Sequence, residues 1–168
     1  DGNFECDNFT ERNLYVDSIL AVVMNQAGSR RIVFSCFDPD VCLMLKLKQN
    51  KYPVLFLTQG TTKRYIPFLD KRANGSQMAV NFAHSNNMLG VSFHSEDSLQ
   101  DQSAFHSAQK HGLVSFAWGN DFESLENINF LKKIGFDGVI YDRISDKLSG
   151  KTNVFLQGET DENGTTTV

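Results

Sequence analysis

Arg31-Ile32-Val33-Phe34-Ser35-Cys36-Phe37-Asp38-Pro39-Asp40-Val41 is the stretch on which the fold turns. Its first five residues form a β-branched and aromatic run, which reads as a short buried strand. Asp38 is placed to cap a helix, its carboxylate accepting from the free amides of the first turn. Pro39 suits the first helical position, where no amide hydrogen is needed. Val41, Met44 and Leu45 then give that helix one apolar face. The turn between strand and helix, Cys36 to Asp40, holds no glycine. A doubly wound nucleotide-binding sheet would carry its Gly-rich phosphate loop here, because glycine lets the backbone approach a pyrophosphate.

The same unit recurs outward from this stretch. Upstream, Val16, Ile19, Leu20, Val23 and Ala27 repeat at helical spacing over 13–28, and Gly28 is a stop. Downstream, Val54 to Thr58 is a second strand, and 60–75 reads as a long polar loop with room for one helical turn. Ser76 to Asn87 reads as a helix with Met78, Phe82 and Ala83 inward; Leu89 to Phe93 is a third strand. A helix is expected around 101–111 and a fourth strand over Leu113 to Ala117. Asp121 is expected to start a helix with Leu125, Ile128, Leu131 and Ile134 apolar, ended by Gly135, before a fifth strand from Gly138 to Tyr141. Strand centres near 33, 56, 91, 115 and 140 are separated by about 23, 35, 24 and 25 residues. That alternation means parallel strands with crossover helices. The spacing, with no glycine after the first strand, predicts an α/β fold that is part of a (β/α)8 TIM barrel rather than an open doubly wound sheet.

Composition narrows the function. The 168 residues are 40% hydrophobic with a formal net charge of −4. Without a basic run there is no nucleic-acid footprint and no polybasic membrane anchor. No apolar stretch approaches the roughly 18 residues of a membrane span. Cys6, Cys36 and Cys42 are an odd number without metal spacing, and read as reduced thiols of a cytoplasmic protein. Sequons at Asn8, Asn74 and Asn163 read as chance tripeptides. The domain is placed at 1–148, and 149–168, rich in Gly, Thr, Glu and Asn, reads as a disordered tail.

Function in such folds sits where strands end and helices begin. That rule selects Ser35, Cys36 and Phe37; Thr58 and Gln59; His94, Ser95, Glu96 and Asp97; Trp118, Gly119, Asn120 and Asp121; and Asp142 and Arg143. Phe37 and Trp118 are rings that can wall a pocket and face a quaternary ammonium group, or cap the barrel core. His94 with Glu96 and Asp97 has metal-ligand chemistry, but both carboxylates also sit where the next helix wants acidic caps. Asp121 reads as an N-cap, and Asp142-Arg143 as an ion pair or helix start. Cys36 follows a strand without a neighbouring histidine to activate it, and Cys42 falls on the following helix, so both read as packed thiols. His84, His106 and His111 read as surface or packing residues.

Several segments resemble the glycerophosphodiester phosphodiesterase family. Ser35-Cys36-Phe37-Asp38-Pro39 is similar to its Ser-x-Phe-Asp-Pro turn, and Gly135-Phe136-Asp137-Gly138-Val139-Ile140-Tyr141-Asp142-Arg143 to its closing strand. Gln49 to Gly60, Leu89 to Asp97 and Trp118-Gly119-Asn120-Asp121 are similar to the eukaryotic cytosolic glycerophosphocholine subgroup. The resemblance covers about residues 13–148 and implies strands four to eight of the barrel.

It further implies a hydrolase that converts glycerophosphocholine or a related glycerophosphodiester to glycerol 3-phosphate and an alcohol. A divalent metal, magnesium or calcium, would act with two histidines. The family's His-Arg-Gly, Glu-x-Asp and Glu-x-Lys motifs belong to strands one to three, which the resemblance places ahead of Asp1. No catalytic or metal role is therefore carried over, this chain alone is expected to bind no metal and to be inactive, and only Phe37 and Trp118 match family aromatics near substrate. Gly119-Asn120-Asp121 departs from the Thr-Val-Asn of many members, which leaves the role of Asn120 open. The alternative is a short product that binds or regulates without catalysis, or a decayed copy.

Overall fold

A computed structural model describes residues 10–140. The predicted tail, the expected role of Asp142 and Arg143, and the thiol of Cys6 lie outside the described residues. Helix α1 (Arg12–Gln26) starts where the Glu11 carboxylate accepts from the amides of Asn13 and Leu14, and it buries Val16 and Leu20. Strand β1 (Phe34–Cys36) is shorter than the Arg31–Ser35 run. Only residues opposite β2 (Val54–Leu57) gain ladder partners: Phe34 pairs with Val54 and Cys36 with Phe56, while Val33 stays 47% exposed. Helix α2 (Pro39–Lys48) begins as predicted, with Asp38 accepting from Asp40 and Val41 amides at 2.8 and 3.1 Å.

The polar loop holds one turn, α3 (Lys71–Asn74), before α4 (Ser76–Ser85). Met78 points outward, 49% exposed, against expectation. The buried stripe of α4 is Ala79, Val80 and Ala83, which puts Met78 on the opposite side of the turn. After β3 (Gly90–His94) a short helix, α5 (Ser95–Gln100), precedes α6 (Ser103–Lys110), which is the helix expected around 101–111. Strand β4 (Val114–Trp118) leads into a 3-10 turn, Asn120–Glu123. Helix α7 (Leu125–Ile134) is capped by Ser124, not by Asp121, and Leu125 is exposed. Gly135 ends it in the left-handed region, φ 105°, as the sequence predicts. Strand β5 (Gly138–Ile140) completes the sheet.

All strand pairs are parallel and follow the order β1-β2-β3-β4-β5. A doubly wound sheet reverses its order at a switch point; this sheet never does, so it is a curled part of a (β/α)8 barrel. Phe56, Val91, Phe93 and Ala117 on its outer face pack against Val80, Phe105, Ile128 and Leu131 of the helices. Alternate residues, such as Leu57, Ser92 and Phe116, lie level with one another on the inner face. Leu131 is fully buried, so Leu131→Ala is expected to cost about 2–5 kcal/mol. A denaturant titration checks this.

Candidate functional site

The C-terminal ends of the strands meet in a cluster of rings. Register pairs His94 with Trp118 and Trp118 with Ile140. The Trp118 indole nitrogen donates to the Thr58 carbonyl at 3.1 Å, which satisfies its one polar atom and leaves its faces for packing. Phe37 stands edge-on to Trp118, centroids 5.2 Å apart at 82°, and edge-on to Phe68 at 5.4 Å. Tyr65 lies over Trp118 at 6.4 Å and 30°, and His94 packs beside the same indole at 4.6 Å. Phe37, Tyr65 and Trp118 border a cavity of about 250 Å³, with Leu57 and Ile140 also in its walls. Ser35, Asn120 and the Tyr65 hydroxyl bring its polar groups, Gly119 completes the lining, and no lining side chain is charged.

Tyr65 reaches this position on the segment between β2 and α3, which crosses the strand ends as a strap. The Thr61 amide donates to Asp97, and the Thr62 hydroxyl and Lys63 amide donate to Glu96. Arg64 donates two bonds to Asp121, at 2.8 and 2.6 Å, and Ser95 donates a third at 2.6 Å. Arg64 and the Ser95 bond hold the Asp121 carboxyl below the usual range, so it is ionised at neutral pH. The Thr62 hydroxyl, then the Lys63 amide and Arg64, do the same for Glu96. The Gln59 amide closes the strap on itself through Ile66 and Phe68. Gly60 opens it at φ 61°, and a Cβ there would lie 2.5 Å from an Asp97 oxygen.

The carboxylates selected from sequence are thus found at the strand ends, with other work. Glu96 and Asp97 lie in the first turn of α5, where acidic residues were expected, and also tie down the strap, whereas Asp121 is an ion-pair partner rather than an N-cap. Thr58 donates to the Ala73 carbonyl and Gln59 braces the strap, so both are supports. Cys36 ends β1 with Cys42 as its neighbour: the Cys42 thiol, with the Asp38 amide, draws the Cys36 pKa down to about 7 despite burial. Among the described residues neither thiol is hydrogen-bonded to a histidine, so the two form no Cys–His pair. His106 is exposed, and His84 stacks on His111 at 4.1 Å, away from the cluster.

Among the described residues no three His, Cys, Asp or Glu side chains converge on a metal site. The acidic residues at the strand ends already have partners, so the divalent metal implied by the resemblance does not fit this residue set and no step is derived through it. Arg64 and Tyr65 were missed in the sequence, where 60–75 shows only loop composition.

The fold and this site define a (β/α)-barrel protein with an uncharged aromatic pocket at the strand C-termini. The chain belongs to the glycerophosphoryl diester phosphodiesterase family, whose model matches residues 2–146. It is 49% identical over 157 residues to homolog 1 of the glycerophosphocholine phosphodiesterase GPCPD1 in Caenorhabditis elegans, covering 93% of this chain and 23% of that protein. It is 44% identical over 155 residues to human glycerophosphocholine phosphodiesterase GPCPD1, covering 92% and 23%. The chain therefore spans about a quarter of these curated relatives. A glycerophosphodiester phosphodiesterase crystal structure from Parabacteroides distasonis matches with a TM-score of 0.61 at 12% identity, over 84% of this chain and 53% of that one. That likeness is one of fold. The spacing Glu-x-Asp does occur, at Glu5-Cys6-Asp7 and Glu159-Thr160-Asp161, both outside the described residues.

His94 is fully buried, and neither ring nitrogen has a hydrogen-bond partner. Burial first, then the Arg64 charge, pushes its pKa below the ordinary 6.5, against a smaller opposing pull from Glu96, Asp121 and Asp97. The unfolded chain then binds the proton more readily than the folded one. The contribution of His94 to stability is full above about pH 6.5 and falls as pH drops from there through the lowered folded value. Unfolding titrations across this range are expected to show that slope in the native chain, and a reduced slope in His94→Phe.

Proposed function

We propose that this chain supplies the headgroup side of a glycerophosphodiester phosphodiesterase. The complete barrel hydrolyses glycerophosphocholine, or a related glycerophosphodiester, to glycerol 3-phosphate and an alcohol, and Phe37 and Trp118 line the place of the alcohol headgroup. The uncharged aromatic cavity carries this reading. A quaternary ammonium group donates no hydrogen bond and needs no acceptor; π faces attract it electrostatically. A phosphodiester would call for cationic donors, which this lining lacks, so the scissile group belongs to the other half of the barrel. The likeness to the two glycerophosphocholine phosphodiesterase relatives supports the same substrate class.

A divalent cation, magnesium or calcium, belongs to this reading of the complete enzyme, where it would polarise the phosphorus. The reading assigns no bond-making or bond-breaking step to this chain. What its residues do is bind and orient: Trp118 is fixed through Thr58, and Phe37 is fixed between Phe68 and Trp118. A cytoplasmic setting is part of the proposal, supported by the free thiols of Cys36 and Cys42. No helix among the described residues is long and apolar enough to cross a membrane.

The test is hydrolysis of glycerophosphocholine by a protein carrying this chain within a complete barrel, read as choline release. Trp118→Ala is expected to raise KM about 3- to 30-fold, the range that loss of a cation–π wall allows. Release unaffected by both Trp118→Ala and Phe37→Ala would remove the pocket from the substrate's path. The isolated chain is expected to release no choline. It is also expected to self-associate, because among the described residues β1 and β5 each pair along one edge only. Light scattering across a concentration series reads this, and a monomer at all concentrations would contradict it.

A further inference from the structure

We propose that Tyr65 is a specificity-determining residue of this pocket, held in place by the Arg64–Asp121 ion pair. The proposal rests on the reading that the pocket receives the substrate headgroup. Three rings of the pocket come from three different segments. Phe37 follows β1 and Trp118 ends β4, so the sheet itself sets their places. Tyr65 comes from the strap, and nothing in the ladder positions it.

Its place is set instead by the ties on either side. Arg64, the preceding residue, is bonded twice to Asp121. Ile66, the following residue, is held through its carbonyl by the Gln59 amide. Between these fixed points the Tyr65 ring lies nearly parallel to Trp118 and edge-on to His94, at 5.6 Å. It remains 43% exposed, so it is a wall rather than part of the core. Asp121 in turn accepts from Ser95, next to His94, so the latch is anchored to the end of β3.

The chemistry of the three rings discriminates among headgroups. A trimethylammonium group is bulky, cationic and without donors, and it gains from each π face it meets. A primary ammonium brings three donors that require acceptors, and the lining offers only the hydroxyls of Ser35 and Tyr65, the Asn120 amide and backbone. A neutral polyol gains no cation–π attraction at all. Removing Tyr65 takes away one face and opens the cavity to water, so discrimination in favour of trimethylammonium falls. Removing Arg64 frees the strap and is expected to produce the same loss by displacing the ring. Arg64 is therefore a positioning residue.

The experiment uses the complete enzyme and compares kcat/KM for glycerophosphocholine with that for glycerophosphoethanolamine and glycerophosphoglycerol. Tyr65→Ala is expected to lower the choline-to-glycerol ratio about 3- to 30-fold. Tyr65→Phe, which keeps the ring, is expected to hold the ratio within about 2-fold. Arg64→Ala is expected to lower it in the same direction, and combining it with Tyr65→Ala is expected to add little more. A native enzyme that prefers choline, with a ratio unmoved by Tyr65→Ala, overturns the role of Tyr65 and leaves the headgroup reading intact. A Tyr65→Phe ratio as low as that of Tyr65→Ala overturns the π-face argument. A native enzyme that cleaves none of the three substrates overturns the headgroup reading and this inference together.

Discussion

The close approach of β3 to β4 at Gly90 governs the layout. A Cβ on Gly90 would fall 1.8 Å from the Val114 carbonyl oxygen, so the backbones can meet there only because the residue has no side chain. From that point five residue pairs run in register, ending with His94 beside Trp118. The outer-face residues of the same stretch, Val91, Phe93 and Ala117, enter the core, where Phe136 stacks on Phe105 at 4.2 Å. One contact thus aligns both the packing behind the sheet and the rings at its end.

Charged and aromatic groups divide the work at the strand ends. The carboxylates are satisfied within the architecture: Asp121 by the Arg64 guanidinium and the Ser95 hydroxyl, Glu96 by the Thr62 hydroxyl and the Lys63 amide, Asp97 by the Thr61 amide and the Ser76 hydroxyl. A partly exposed ion pair is worth only about 0–1 kcal/mol by itself. The strap holds because side-chain pairs, backbone amides and the Gln59 closure act together, with the left-handed turn at Gly60 admitting the chain beside Asp97. With its charges spent on architecture, the cavity keeps an uncharged wall, which suits a ligand bound through π faces.

The same division explains why a chain matching so much of a catalytic family contains no metal-ligating set among its described residues. In a barrel, residues from several strands converge on one mouth. These five strands carry an aromatic pocket at their C-terminal ends, and the acidic residues beside it are committed to holding the strap.

The sequence by itself determined the five strands, most of the helices and their order. Strand runs, helical spacing, the Asp38 cap and the Gly135 stop were legible because their physics is local: Asp38 accepts from amides two and three residues away. The turn from Cys36 to Asp40, without glycine, also separated a barrel from a doubly wound sheet. The tertiary structure decided what the polar residues do. Asp121 looks locally like a cap, yet its partner Arg64 is 57 positions away, and Thr62 finds Glu96 across 34. The place of Tyr65 follows from those long-range bonds, and no pattern within 60–75 encodes it. Local signals specify backbone conformation, whereas the choice among equally good polar partners is made only when packing brings distant segments within hydrogen-bond reach.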